Sequence, residues 1–527
     1  MKKFRKVWVG VIVVFAVWAF IAFQKGDEDP VAQKSGSSDG AVSGERAPAN
    51  EVLVLVEREI ACAPDPSFYP GSNHYIKNGA GETLFKVDPQ ARVQPCLAKG
   101  SERVDAHTWK VFLRPEAKFW SGKEVDADAV IGSLERSRKS NVRALPFLEG
   151  LRFKALDKWT VEVRTKRKNA FVPLDLSYME LCIFNSESPH TSVETMDMTG
   201  MYRVIAFEPK QRMTLEINPL YYGKKPTIKR IVHEEISDPE SRSLSMLSGR
   251  GDIVFHISNE SLKQLEADPN VILHMTHASN TVTIYLNIHK PQLVDRRVRQ
   301  ALSWGVDRDE VVLVGTEGRS VPTTTWLSSN PKFRRHSRDV YDKHDPEKAA
   351  ALLDEAGWRL GDDGFRHKDG KTLSFKLMTW GNDKAIGESV QNQWTKLGVK
   401  TEVHHGDYSL IEAARETGDW DGFIEAWQTF GDPYALLSGQ FSPKGTANYA
   451  KYDNRETNAL LKRLGEAETE EEKDALAVQI NRQIAEECPS IFLCPRVETT
   501  ATKARLKGYV EHFRQFENAI NADLRFE

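Results

Sequence analysis

Histidine-containing segments are the first places where this sequence could support chemistry. The segment at residues 233–237 starts like a zinc-protease motif, but Ser237 stands where a second histidine would have to complete the i, i+4 ligand pair. His404 and His405 are adjacent on a predicted strand and therefore point to opposite faces, and His274 and His277, three apart, have the same problem. Cys-x-x-Cys pairs, phosphate-binding glycine loops and nucleophile elbows do not occur in the sequence. The sequence therefore predicts no metal site and no cofactor, and it does not indicate an enzyme.

Acidic residues beside predicted strands and helices are candidates for binding or capping. Glu57 and Glu59 follow an apolar run at residues 52–56, which predicts a buried strand. Asp432 followed by Pro433 is typical of a helix start, because Asp caps the first amides and Pro fits the first turn. The charge run at residues 466–473 predicts a solvated helix face.

The composition indicates a large chain without a nucleic-acid-binding charge pattern. The 527 residues are 40% hydrophobic, which is enough for two or three domains with buried cores. Lys plus Arg (72) nearly balances Asp plus Glu (75), so the chain has no overall basic field for a phosphate backbone.

The N-terminus predicts export. Four basic residues within positions 2–6 precede an apolar run at residues 7–23, so we expect residues 1–23 to be a signal or membrane anchor with the body outside the cytoplasm. Phe20 lies where a cleavage site needs a small residue, which favours an anchor over a cleaved signal; cleavage remains the alternative. The polar, Gly/Ser-rich residues 24–50 predict a flexible linker.

Five cysteines in an exported chain permit two disulfides and one free thiol, or buried thiols. These are Cys62, Cys96, Cys182, Cys488 and Cys494. The sequence does not choose a pairing. Cys488 and Cys494 bracket a predicted strand that holds them too far apart to pair with each other.

Strands and helices alternate along the body, which predicts α/β lobes with mixed sheets. Alternation predicts a strand at Thr108–Leu113, and Asp126 caps an amphipathic helix. Further helices are predicted at residues 296–306, at 346–356 before Gly357 and at 386–397 before Gly398, and further strands at 373–379 and 399–403.

Several motifs in register resemble one protein family. They lie at residues 109–130, 199–253, 286–310, 345–358 and 427–452. This pattern resembles the bacterial extracellular solute-binding proteins of family 5 and covers about residues 51–520. The resemblance implies a two-lobed periplasmic-binding-protein fold: lobe I at 51–284 with a subdomain at about 75–195, lobe II at 285–492, and a return to lobe I at 493–527. We expect the hinge crossings near residues 285–287 and 489–493.

The same resemblance implies ligand-binding residues. Trp427 falls where relatives have a Trp in the wall of the solute cavity. Peptide-binding relatives carry an Asp four residues before the position of Pro433, where it pairs with the peptide amine, but Thr429 stands there and cannot supply that charge-assisted bond. Glu425 is a possible substitute on the same strand face. Core packing of Trp427 remains the alternative.

Nickel-type relatives hold an Arg that meets the carboxylates of a metal chelate, and Glu180 stands near that position, with exposed surface as its alternative. With Glu57, Glu59, Trp380, Asn448 and Tyr449 it completes the candidate ligand-binding residues. If several of these carboxylates face the cleft, an amine-bearing or cationic solute is favoured.

The resemblance implies the solute-binding component of an ABC importer. We expect a monomer that captures a small peptide-like, amine-bearing or metal-chelate solute and delivers it to membrane permease subunits. A tethered ligand sensor or scaffold and, less favoured, an exported hydrolase are the alternatives.

Overall fold

The body of the chain alternates strands with helices, as the sequence predicts. The computed structural model describes residues 51–68, 71–141, 143–148, 150–514, 517 and 519–527. The expected anchor at 1–23 lies outside the described residues, and so does the linker at 24–50. No helix in the described part of the chain is long and apolar enough to cross a membrane.

The strands follow in chain order: β1 (Val52–Glu57), β2 (Phe85–Val87), β3 (Val93–Pro95), β4 (Ala98–Arg103), β5 (Thr108–Leu113), β6 (Leu151–Asp157), β7 (Thr160–Thr165), β8 (Tyr202–Glu208), β9 (Arg212–Ile217), β10 (Arg230–Glu235), β11 (Ile253–Phe255), β12 (Val271–Leu286), β13 (Arg359–Leu360), β14 (Arg366–Lys368), β15 (Lys371–Thr372), β16 (Ser374–Trp380), β17 (Lys400–Gly406), β18 (Gly422–Gln428), β19 (Ser490–Lys503), β20 (Leu506–Lys507) and β21 (Arg525–Phe526).

The helices are α1 (Gly71–Lys77), α2 (Ala127–Ser140), α3 (Leu145–Leu148), α4 (Val172–Asp175), α5 (Pro239–Leu247), α6 (Leu262–Glu266), α7 (Arg296–Trp304), α8 (Arg308–Gly315), α9 (Pro346–Glu355), α10 (Lys384–Lys396), α11 (Tyr408–Thr417), α12 (Pro433–Phe441), α13 (Arg455–Glu466) and α14 (Glu470–Glu487).

Two long antiparallel strands, β12 and β19, form the centre of a ten-stranded sheet in the order β17-β16-β18-β12-β19-β11-β1-β10-β9-β8. Their pairing shifts register between His277 and Thr281, opposite Val497 and Pro495. We name residues 281–495 lobe II and the rest of the described chain lobe I. The sequence places the crossings in the same two strands, a few residues further into lobe II.

Both lobes direct the carboxyl ends of their parallel strands towards this register break. In lobe I, β1 runs parallel to β10 and β11, while β11 is antiparallel to β19 and runs towards the break. In lobe II, β16 runs parallel to β17 and β18, and β18 ends with Gln428 opposite Asn280. Open α/β sheets bind ligands at such strand ends. The crossing between the lobes is therefore the expected location of a ligand site.

A separate four-stranded sheet, β4-β5-β7-β6, packs on α2 and lies within the range expected for a subdomain. Asp126 caps α2 by accepting from the Ala129 amide at 2.9 Å, as predicted. The buried residues of α2 and of the sheet share one core, which includes Val111, Val130, Leu134 and Val163.

The other predicted elements form with small shifts at their ends. The helix predicted at 296–306 ends at Trp304, because its last turn closes on Gly305. Gly357 and Gly398 adopt φ of +88° and +85°, the left-handed conformation that ends α9 and α10.

Residues 466 and 468–472 are exposed, as the prediction of a solvated face requires, but the run does not form one helix. The run spans the break between α13 and α14, where Thr469 caps the second helix. Lys473 is 1% exposed, because α14 turns it into the interface with lobe I.

All five cysteines are free thiols in the structure. Cys182, Cys488 and Cys494 are buried and Cys62 is exposed. Cys488 and Cys494 do not pair with each other, as predicted.

Candidate functional site

Aromatic and charged side chains gather at the strand ends of lobe II. Trp380 ends β16, and Glu425 and Trp427 lie two residues apart on β18, so they share one face of the sheet. Tyr408 starts α11 directly after β17, and its ring centroid lies 4.9 Å from that of Trp380. The Tyr449 ring lies 6.3 Å from the Trp427 ring. We name the lobe II cage the group formed by these four aromatic residues together with Glu425 and Arg415.

Glu425 is the buried acid of this cage. It is 9% exposed, and its Oε1 accepts from the Tyr408 hydroxyl at 2.9 Å. Arg415 from α11 places Nη1 at 3.9 Å from Glu425 Oε2, with its guanidinium 4.4 Å from the Tyr449 ring centroid. Burial raises the pKa of Glu425, while Tyr408 and Arg415 oppose that rise. Trp427 lies two residues from Glu425 on β18 and packs against two hydrophobic clusters of lobe II.

Thr429 is buried and its polar groups are occupied. The Thr429 hydroxyl donates to the Ser279 carbonyl at 2.9 Å, and the Thr429 carbonyl accepts from Asn330 Nδ2 at 2.9 Å. It thus joins β18 to the crossing segment of β12.

Asp432 caps α12 as predicted, accepting from the Tyr434 amide at 3.1 Å, and Pro433 occupies the first turn. Asn448 also has a local role. Its Nδ2 donates to the Ser442 and Tyr452 carbonyls, both at 2.8 Å, and its Oδ1 accepts from the Tyr452 amide at 2.9 Å.

In lobe I, Glu57 lies at the carboxyl end of β1 and is fully buried between two cations. It pairs with Lys77 of α1 and accepts from His256 Nε2 at 2.9 Å. These two cations outweigh burial and hold the Glu57 pKa well below its usual value. Glu59, in contrast, is partly exposed, and its Oε1 lies 3.8 Å from Nε of the neighbouring Arg58.

His256 and Arg496 were not identified from the sequence. His256 follows β11 with φ of +52° and bonds Glu57 on one side and Glu498 of β19 on the other, both at 2.9 Å. Arg496, two residues before Glu498, binds Asp383 of lobe II through both carboxylate oxygens, at 2.5 and 3.0 Å. A chain of alternating charges therefore crosses from lobe I to lobe II. No sequence motif marks it, because its members come from five separate segments.

Glu180 lies apart from these groups. It is half-buried on a turn of 3₁₀ helix, and burial raises its pKa. Its Oε2 has no hydrogen-bond partner among the described residues. The alternative of an exposed surface position is therefore wrong for this residue.

A cavity of about 570 Å³ lies between the lobes, and its lining includes residues of the segment that follows Trp427. Its apolar lining includes Phe171 and Leu174 of lobe I and Phe333, Phe430 and Pro433 of lobe II. This volume is in the usual range for small-ligand pockets.

Beside the cavity, two buried carboxylates meet across the lobe interface. Asp175 of lobe I accepts from Asn169 Nδ2 at 2.7 Å and faces Asp432 of lobe II. Lys473 Nζ lies 3.8 Å from Asp432 Oδ1. Burial, followed by the charge of Asp432, raises the Asp175 pKa.

Within the described residues, no cluster of three or more His, Cys, Asp and Glu side chains has the arrangement of a metal site. His404 and His405 are both exposed on β17. His274 bonds Glu511 at 3.1 Å and His277 bonds the Arg319 carbonyl at 3.0 Å.

Comparisons with known proteins agree with this geometry. The model of "Bacterial extracellular solute-binding proteins, family 5 Middle" matches residues 92–448. The nickel-binding periplasmic protein of Escherichia coli K12 is 27% identical over 76% of this chain and 80% of its own length. The oligopeptide-binding protein AppA of Bacillus subtilis 168 is 26% identical over 83% of this chain and 84% of its own.

Among solved structures, NikA from Brucella suis in complex with Fe(III)-EDTA superimposes with a TM-score of 0.79 at 22% identity, covering 88% of this chain and 98% of that one. The predicted two-lobed α/β fold is confirmed. The chain belongs to family 5 of the bacterial extracellular solute-binding proteins, the substrate-binding components of ABC importers.

Proposed function

We propose that this protein captures a small polar solute between its two lobes and delivers it to ABC permease subunits at the outer face of the cytoplasmic membrane. One observation carries the proposal. The carboxyl ends of the parallel strands of both lobes meet at one crossing, where lobe I presents the charged groups Glu57 and His256 and lobe II presents its aromatic and charged cage.

Solute capture requires lobes that close and reopen. Two strands, β12 and β19, connect the lobes, and their register break supplies a bending point. Polar contacts also join the lobes: the Tyr178 hydroxyl donates to the Phe430 carbonyl at 2.7 Å, and Arg103 Nη1 donates to the Glu468 carbonyl at 2.7 Å. A solute that touches both lobes adds to these contacts and shifts the population towards the closed form.

The occupied carboxylates narrow the solute class. Glu57 is neutralised by Lys77 and His256, and Glu425 is bonded to Tyr408 beside Arg415. Thr429 presents no carboxylate to a peptide amine. These features support a small polar solute other than an unmodified short peptide. Because the carboxylates are paired, the cleft does not have the excess of negative charge that would favour a cationic solute.

We further propose that residues 1–23 remain in the membrane, that the protein acts as a monomer, and that it binds without catalysing a reaction. The relatives that it matches are named as binding proteins, and the predicted tether suits capture beside a permease.

Native mass spectrometry of the purified protein tests the proposal. We expect the native spectrum to show one small molecule bound to the protein and the denatured spectrum to show it released. Small-angle scattering of the solute-free protein should then show no closed population. Turnover of the retained molecule would support the hydrolase alternative. Stable binding without uptake in cells that express the cognate permease would support the sensor alternative.

A further inference from the structure

The lobe II cage has the composition of a cation-binding site. Partly exposed Trp380, Tyr408, Trp427 and Tyr449 lie around the buried acid Glu425. Aromatic faces combined with a carboxylate are the groups that bind ammonium and guanidinium ions. On this composition alone, an amine-bearing solute would be expected.

The cage already contains a cation of its own. The Arg415 guanidinium lies 4.4 Å from the Tyr449 ring centroid, 5.5 Å from that of Tyr408 and 5.6 Å from that of Phe423. It also lies 3.9 Å from Glu425 Oε2. Arg415 therefore occupies the position that an ammonium group would take, and with Glu425 it leaves the cage with no net charge.

Four buried polar atoms of the cage make no hydrogen bond within the described residues. They are Trp380 Nε1, Trp427 Nε1, Arg415 Nη1 and Glu425 Oε2. Three of them are donors and one is an acceptor. Arg415 Nη1 and Glu425 Oε2 form an ion pair at 3.9 Å but lie too far apart for a hydrogen bond. A solute group with both an acceptor and a donor, such as an amide or a hydroxyl, can hydrogen-bond to both types of atom.

We propose that Arg415 determines the head-group specificity of lobe II, excluding ammonium groups and selecting an uncharged amide or hydroxyl group of the solute. The inference rests on the proposed function, because it assigns the chemistry of the lobe II half of the solute site. Removing Arg415 should convert the cage into a site for small organic cations.

Three probes of similar size and different charge test this in the full-length protein: acetamide, acetate and n-propylammonium, with guanidinium as a fourth for the variants. Binding is followed by tryptophan fluorescence, since Trp380 and Trp427 belong to the cage, and by melting temperature, with NaCl as the ionic-strength control. In the wild-type protein we expect a saturable response to acetamide at lower concentration than to acetate or n-propylammonium.

Arg415→Ala should reverse this order. It should respond saturably to millimolar guanidinium or n-propylammonium and recover part of its lost melting temperature, whereas acetamide should lose its effect. Arg415→Ala combined with Glu425→Gln should lose the cation response. Arg463→Ala, which removes an exposed lobe II arginine, should behave like the wild type.

Two results would overturn the proposal: a wild-type protein that binds n-propylammonium at least as well as acetamide, or a folded Arg415→Ala variant without a saturable cation response. If Arg415→Ala does not fold, Arg415→Met, which keeps the aliphatic stem, replaces it. The order in which the wild-type protein binds acetamide, acetate and n-propylammonium tests the proposal without any variant. No natural solute is used, so failure here is distinguishable from a failure of native mass spectrometry to find one.

Discussion

The carboxylate pair at the lobe interface predicts a specific pH dependence of stability. Asp175 is 8% exposed and faces Asp432, with Lys473 as the buried cation beside them. Arg167 also faces this group from the lobe I side. Burial of Asp175 and the negative charge of Asp432 together outweigh Lys473 and Arg167, so the protonated form of Asp175 is favoured. Asp175→Asn should remove the titration while keeping an acceptor for Asn169.

The direction in which stability changes with pH follows from the raised pKa of Asp175. Folded Asp175 holds its proton more tightly than unfolded Asp175, so its stabilising contribution is present below the ordinary aspartate pKa and is lost as pH rises through the folded value. Between those two pKa values each pH unit removes about 1.4 kcal/mol of unfolding free energy. From pH 5 to pH 6.5 this amounts to about 2 kcal/mol.

Urea unfolding of the wild type and Asp175→Asn at several values between pH 5 and pH 8 measures the effect. We expect the variant to gain stability over the wild type as pH rises. Asp128→Asn, which changes an exposed acid of lobe I, is the control and should follow the wild type. Parallel pH profiles for wild type and Asp175→Asn would refute the reasoning, because Asp175 would then titrate normally in the folded protein.

Three further predictions concern binding and topology. Trp427→Ala should weaken solute binding by about 2 kcal/mol. Asp432→Ala should lower stability, because it removes a helix cap worth about 1 kcal/mol and the partner of buried Lys473. Calorimetry and melting curves on both variants check this, and a Trp427→Ala protein that binds normally contradicts the first expectation. Because Thr429 cannot replace a carboxylate, unmodified di- and tripeptides should bind weakly, and sub-micromolar calorimetric affinities for several of them would disprove this. Residues 1–23 should remain attached in membrane fractions; N-terminal sequencing that starts near residue 20 or 23 would show cleavage instead.

The sequence by itself determined the local elements of the fold. Asp126 and Asp432 mark the helix starts that the structure contains, and Gly357 and Gly398 mark two helix ends. These signals work because capping bonds and left-handed turns involve residues within a few positions of each other. Motif order along the chain also indicated the two-lobed family fold.

Tertiary structure alone decided which charges and rings meet. The partners of Glu57 come from positions 77 and 256, and Glu498 completes the arrangement from the far end of the chain. Arg415 enters the lobe II cage from a helix between two strands, and α14 buries Lys473 within a run that looks solvated in the sequence. Periodicity shows which face of an element is apolar but not which distant element covers it. The charge balance of the site therefore depends on packing between segments hundreds of residues apart.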